Sequence, residues 1–157
     1  MDSQDAALDL SALLLPVSGQ LLVVPSVVVA EIIKRRPLEP PPEAPDWLLG
    51  HVKWHQESVP VLSFEALNRS GIAEEQTGSR IVIFGCLGEG AGSRHYALLT
   101  RGVPNLLRLT ADVLEQIQGL SPGPAERMKV SVYGQTAAIP DLDFIERHLL
   151  DPAVSKH

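Results

Sequence analysis

The chain has 157 residues, 45% of them hydrophobic and 20% charged, with a formal net charge of −6. That is one domain's length, able to bury a core without metal or disulfide staples, and its composition excludes an intrinsically disordered chain. Excess acid argues against a nucleic-acid partner, which needs clustered Lys and Arg to neutralise phosphates.

The single cysteine, Cys86, permits no intramolecular disulfide, which suits a reducing cytoplasm. Residues 1–9 begin acidic, unlike a secretory signal, and are expected to be a disordered N-terminus. Pro16, Gly19 and Pro25 interrupt the longest apolar stretches, so none reaches the ~20 residues that span a bilayer, and no direct membrane insertion is expected.

From Leu10 to Val17 the chain is an apolar run of strand length. Ser18-Gly19 is a turn signal and Gln20 to Val24 resumes as a strand, so the pair predicts a hairpin. Val27 to Ile33 could open with a helical turn and finish as a strand, and its β-branched residues favour the strand. Pro37, Pro40, Pro41, Pro42 and Pro45 then exclude helix and sheet interior. This segment is an extended loop, partly polyproline II. It could be an SH3-type ligand; the alternative is a stiff connector inside the domain, which the apolar Trp47, Leu48 and Leu49 just beyond it favour.

His51 to Phe64 predicts strand, turn, strand. Pro60 lacks an N–H donor, so its strand is expected at an edge or bulged there. Glu65 to Asn68 suggests a short helical turn, and Asn68 to Gly78 a polar loop. Ser79 to Leu87 is the cleanest strand, followed by a loose turn over Gly88 to Ser93 and a returning strand from His95 to Thr100. Val103 to Leu109 is apolar and extended. Thr110 to Ile117 is expected to form a helix, with Thr110 as its cap. After a loop from Gly119 to Pro124, Met128 to Pro140 reads as a last hairpin turning near Gly134-Gln135. Asp141 caps a terminal helix whose Leu142, Phe144, Ile145, Leu149 and Leu150 share one apolar face. Residues 151–157 form a tail. Many short strands without alternating long helices exclude a parallel α/β sheet, and closure into barrels would hide the strand edges.

Catalytic constellations are weak. The glycines from Gly85 to Gly92 lack the following helix and the lysine of a phosphate loop, and a hairpin connection explains them. Cys86 could be a nucleophile if His95, across the same hairpin, lowered its pKa, but a thiol inside an apolar strand is usually inert core. The histidines His51, His55, His95, His148 and His157 show no metal-binding spacing. No cofactor is expected.

The order of motifs resembles the CheW-like family of chemotaxis coupling proteins, from about Leu10 to Leu150. Pro45-Asp46-Trp47-Leu48-Leu49-Gly50, the strand at Val52 and Val59-Pro60-Val61-Leu62 are similar to that family's Pro, paired apolar residues, Gly, strand and Val-Pro-Val pattern. Val29-Ala30-Glu31-Ile32-Ile33 stands where the family has its apolar-Gln-Glu-Ile-Arg stretch. Leu98 to Thr110 resembles the family's strand, Asp-Gly-Val, strand and helix start. Val132-Tyr133-Gly134 through Leu142 fits the closing hairpin and helix. Several positions depart from the pattern. The family's Asn-Leu-Arg-Gly turn is Lys53-Trp54-His55-Gln56 here, and two Asp positions hold Ser63 and Arg101. A histidine does not replace a permanently charged, bidentate arginine in kind. The departures resemble an accessory member of pilus-linked, twitching-motility chemosensory systems (ChpC-like).

The resemblance implies an all-β fold with short helices, two packed five-stranded SH3-like β-barrels, intertwined in sequence over residues 10–150. It implies a non-catalytic cytoplasmic adaptor, recruited to membrane-associated receptor arrays. Its partners would be the regulatory domain of a CheA-like histidine kinase and the cytoplasmic tip of a methyl-accepting chemoreceptor. The partner-binding residues it implies are Glu31, Ile33, Trp54, His55, Leu99, Val103 and Leu106. For the aliphatic residues a core role is the competing reading, and Trp54 could be either interface anchor or core. Another small β-barrel module binding a peptide or ligand is the alternative function; it would show one barrel or a deep apolar pocket.

Overall fold

The computed structural model describes residues 10–71, 78–88, 95–110 and 112–155. The expected disordered start, much of the two predicted loops after Asn68 and Gly88, and Ala111 lie outside them. Eleven strands among the described residues form two sheets. The first has six strands: β1 (Leu10–Val17), β2 (Gln20–Pro25), β8 (Asn105–Leu109), β9 (Leu114–Gln116), β10 (Glu126–Val132) and β11 (Gln135–Pro140), in the order β8-β1-β2-β11-β10-β9. The second has five: β3 (Val29–Lys34), β4 (Leu48–Trp54), β5 (Glu57–Leu62), β6 (Arg80–Gly85) and β7 (His95–Leu99), in the order β3-β6-β7-β5-β4. The fold is the expected all-β one, with one strand more in the first sheet than the five-and-five reading. The middle of the chain builds one sheet and its two ends build the other.

The extra strand is the expected helix after Thr110. Residues 114–116 pair with β10 instead, and the partly buried Val113 and Leu114 pack on the core of the six-stranded sheet. Thr110 does not cap: its hydroxyl donates to the Asp112 carboxylate, and its carbonyl accepts from the Val113 amide in a turn. Tertiary burial of two apolar side chains overrides a local capping signal. Pro60 also departs from expectation, because β5 lies between β7 and β4. The ladder to β7 is registered at Val61 and Leu62, past the proline, and the nearby irregularity falls on β4 between Leu48 and Gly50.

Strand alternation explains why the sequence reads as near-continuous apolar runs. In β6, Ile81 and Ile83 face one core while Val82 and Phe84 face another; in β7, Ala97 and Leu99 alternate with Tyr96 and Leu98. The shared core also takes Leu13, Leu15, Leu22 and Val24 from the other sheet. Ala12, Val23, Val130, Val132 and Ala137 fill a third cluster within the six-stranded sheet. Each sheet therefore has a core of its own and a face in the layer between the two. A sheet that buries a face with its own strands must curl over it, which is barrel geometry. Each large aliphatic side chain buried in this way contributes about 1.5–3 kcal/mol.

Short helices pack on the core shared by the two sheets. α1 (Phe64–Asn68) is capped by Ser63, whose side chain accepts from the Ala66 amide, and α2 (Leu142–Arg147) by Asp141, which accepts from the Phe144 amide. Beyond α2, the expected tail makes a further turn, α3 (Pro152–Ser155), which buries Val154. The last hairpin turns at Tyr133-Gly134, one residue earlier than expected; both have positive φ, the geometry of a two-residue hairpin loop.

Candidate functional site

The five-stranded sheet ends in β3 on one side and β4 on the other, and side chains join these two ends. Trp54, the last residue of β4, donates its indole N–H to Glu31 Oε1 of β3 at 2.9 Å. Nearby, Arg36 Nη1 donates to the Lys53 carbonyl at 2.6 Å. The Trp54 body packs on the sheet's own core, while its indole N–H edge reaches the surface carboxylate of Glu31.

His55 and Gln56 form the two-residue turn between β4 and β5, with φ of 49° and 66°. Left-handed backbone at both positions is what such a loop requires, and it holds the His55 ring out in solvent at 72% exposure. That ring meets Trp54 edge-on at 4.5 Å, and its Nε2 lies 3.7 Å from Glu31 Oε1. On the other side His95, from β7, also meets Trp54 edge-on, at 4.8 Å, with its Nδ1 3.0 Å from Glu57 Oε1. The result is an aromatic knob flanked by two histidine–carboxylate pairs. Glu31, Trp54 and His55 are thus one surface. Sequence reasoning missed Glu57 and His95 as members; the register Trp54↔Glu57 of an expected hairpin was the signal for the first.

The remaining expected contact residues lie elsewhere. Ile33 and Leu99, 9% and 2% exposed, belong to the core beneath this knob and support it. Val103 and Leu106 are exposed, at 51% and 68%, and sit at or just before β8, an end strand of the other sheet. The expected set therefore divides into a knob on one sheet and an apolar strip at the edge of the other.

Two of the family departures are internal. Ser63 keeps the capping role an aspartate would have. Arg101 is buried and donates Nε to Glu65 Oε2 at 3.1 Å. Glu65, itself fully buried, also accepts from the Ser18 amide at 2.9 Å and from the Ser63 hydroxyl at 3.3 Å. Burial pushes the Glu65 carboxyl up, but hydrogen bonds from the Ser18 amide, the Arg101 side chain and the Glu65 backbone, together with the Arg101 charge, outweigh it and hold the group below its ordinary value. The β1–β2 turn, α1 and the end of β7 meet on this carboxylate, which clasps one sheet to the other. A second buried carboxylate, Glu126, accepts from Gln20, Asn68, Lys129 and the Gly123 amide and ties β10 to α1.

A half-open cleft of about 980 Å³ runs between α1 and α2, lined by Trp47, Phe144 and His148 with Asp46 and Arg69 at its polar edge. Cys86 is half-buried, and burial with the Glu146 and Glu57 charges pushes its thiol up to about 12. It is therefore protonated at neutral pH, and the nucleophile reading loses its thiolate. Among the described residues no cluster of His, Cys, Asp and Glu is placed to hold a metal, and no helix is long and apolar enough to cross a membrane.

A family model described as "CheW-like domain" matches residues 11–148. The chain is similar in structure to the scaffolding protein TtCheW from Thermoanaerobacter tengcongensis, with a TM-score of 0.71 and 16% identity over 85% of each chain. No curated protein sequence matches.

Proposed function

We propose, because this chain belongs to the CheW-like domain family, that it is a non-catalytic adaptor coupling the cytoplasmic tip of a chemoreceptor to the regulatory domain of a CheA-like histidine kinase. It would work in the cytoplasm at membrane-associated receptor arrays. The family's scaffold fold supports an adaptor, which acts by holding partners in a geometry that lets one change the other.

The observation that carries the reading is the separation of the two exposed candidate surfaces. The Glu31–Trp54–His55 knob belongs to the five-stranded sheet, and the Val103–Leu106 strip to the edge of the six-stranded one. An adaptor with two partners needs two such faces. An aromatic anchor with a polar rim suits one, and an exposed apolar strand edge suits the other. Because His55 and Gln56 replace the family's Arg-Gly turn, the knob carries an imidazole where a bidentate guanidinium is usual. This favours an accessory coupling protein, of the kind found in pilus-linked, twitching-motility systems, over the main one.

The test is a pair of titrations of the purified chain, one with the kinase regulatory domain and one with a receptor-tip fragment of the same organism. Binding of both, with W54A weakening one and L106E weakening the other, supports the reading. Binding of neither overturns it.

A further inference from the structure

We propose that residues 34–42 are a polyproline ligand displayed on a folded domain, recognised by a partner with an aromatic-lined, acid-rimmed groove of the peptide-binding SH3 kind. The backbone is set by covalent chemistry. Pro37, Pro40, Pro41 and Pro42 fix their own φ near −65°, and each pushes the residue before it towards extended geometry. Residues 35–41 accordingly form neither helix nor strand.

The fold then holds this ridge outward. Leu38 turns in against the core of the five-stranded sheet, and Ala44 against the shared core. Between them the Glu39 backbone lies directly over Gly50, where an added Cβ would come within 2.9 Å of the Glu39 nitrogen. Pro37, Pro40 and Pro42 are exposed. A ligand already ordered by its own domain loses little further entropy on binding, which favours affinity.

Charge completes the motif. Lys34, Arg35 and Arg36 are consecutive and exposed in a chain of net charge −6. Lys34, Pro37 and Pro40 have the spacing basic-x-x-Pro-x-x-Pro, which offers two prolines to aromatic slots and a cation to an acidic pocket. Arg36 donates to the Lys53 carbonyl and Arg35 to the Arg36 carbonyl, so Lys34 is the cation this spacing presents. As a connector between β3 and β4 the segment uses Arg36, Leu38 and Ala44; the Lys34 ammonium and the outward prolines take no part in those contacts.

This inference does not rest on the adaptor reading. Its test titrates the full chain with a purified SH3 domain that reads basic-x-x-Pro-x-x-Pro peptides, followed by calorimetry. The expected result is saturable binding, weakened about tenfold or more by P37A/P40A and by K34E. Binding to the kinase regulatory domain should be the same for all three proteins, which separates failure here from failure of the coupling role. K34E, at an exposed strand end, decides the matter if the proline variant does not fold. No saturable binding at millimolar SH3 domain, or equal binding by the intact chain and K34E, overturns the proposal.

Discussion

Trp54 donates its indole N–H to the Glu31 carboxylate at 2.9 Å, across a seam between two strands that share no backbone ladder. This contact joins the two ends of the five-stranded sheet, so it links the sheet's closure to the surface it displays. A double-mutant cycle with W54F and E31A, read by urea unfolding, should give a coupling of about 1 kcal/mol, as for a partly exposed hydrogen bond to a carboxylate. Additive effects of the two substitutions would show that the seam is held by backbone and packing alone.

The Arg101–Glu65 pair predicts a larger effect. R101M should destabilise the chain by about 3–5 kcal/mol, because it leaves a fully buried carboxylate without its cation. R101M with E65M should recover part of the loss. A cost of R101M near zero would show that the Ser18 and Ser63 contacts suffice to hold Glu65.

Glu65 and Glu126 also set an acid limit. Both carboxyls are held below the ordinary glutamate value of 4.5, for although burial raises each, hydrogen bonds from Ser18 and Arg101, and from Gln20, Gly123, Lys129 and Asn68, outweigh it. A lowered folded-state pKa contributes stability that is fully present above the unfolded value and is lost as pH falls through the folded one. Unfolding free energy should therefore drop steeply below about pH 4.5, and E126Q should flatten that drop. An unchanged acid limb in E126Q would contradict the assignment.

Tyr96 is fully buried, stacks on Phe84 at 5.2 Å, and its hydroxyl has no hydrogen-bond partner among the described residues. Y96F keeps the stacking and removes an unsatisfied polar group, so it should raise stability by about 1 kcal/mol. A loss in thermal unfolding would reveal a bond to water at that oxygen.

With its thiol pushed up to about 12, Cys86 should react with a thiol reagent at neutral pH more slowly in the folded chain than after unfolding in urea. Faster reaction in the native state would reopen the nucleophile reading.

The strands were legible because alternation writes both buried faces into the sequence, as in the run Ile81-Val82-Ile83-Phe84. The turn within Lys53 to Gln56 was legible from the family resemblance, and the strand register narrows it to His55-Gln56. What the sequence hid is tertiary. Arg101 reads as a lost family aspartate until its partner, 36 positions away, is seen. Glu31 and Trp54 read as separate contact residues, while the fold makes them one feature. Ile33 and Leu99 could not be told from surface anchors, because an apolar residue in a strand has the same local pattern whichever face it takes. The helix expected after Thr110 failed for a related reason: the burial of Val113 and Leu114 beside β10 was decided by the last hairpin, far along the chain.

Whether one small domain holds two proteins at once is read by size-exclusion chromatography with light scattering on a ternary mixture. The chain, the kinase regulatory domain and the receptor-tip fragment should elute as a single complex with the mass of all three. If the two partners displace one another, or if neither binds, the chain is not a bridge between them.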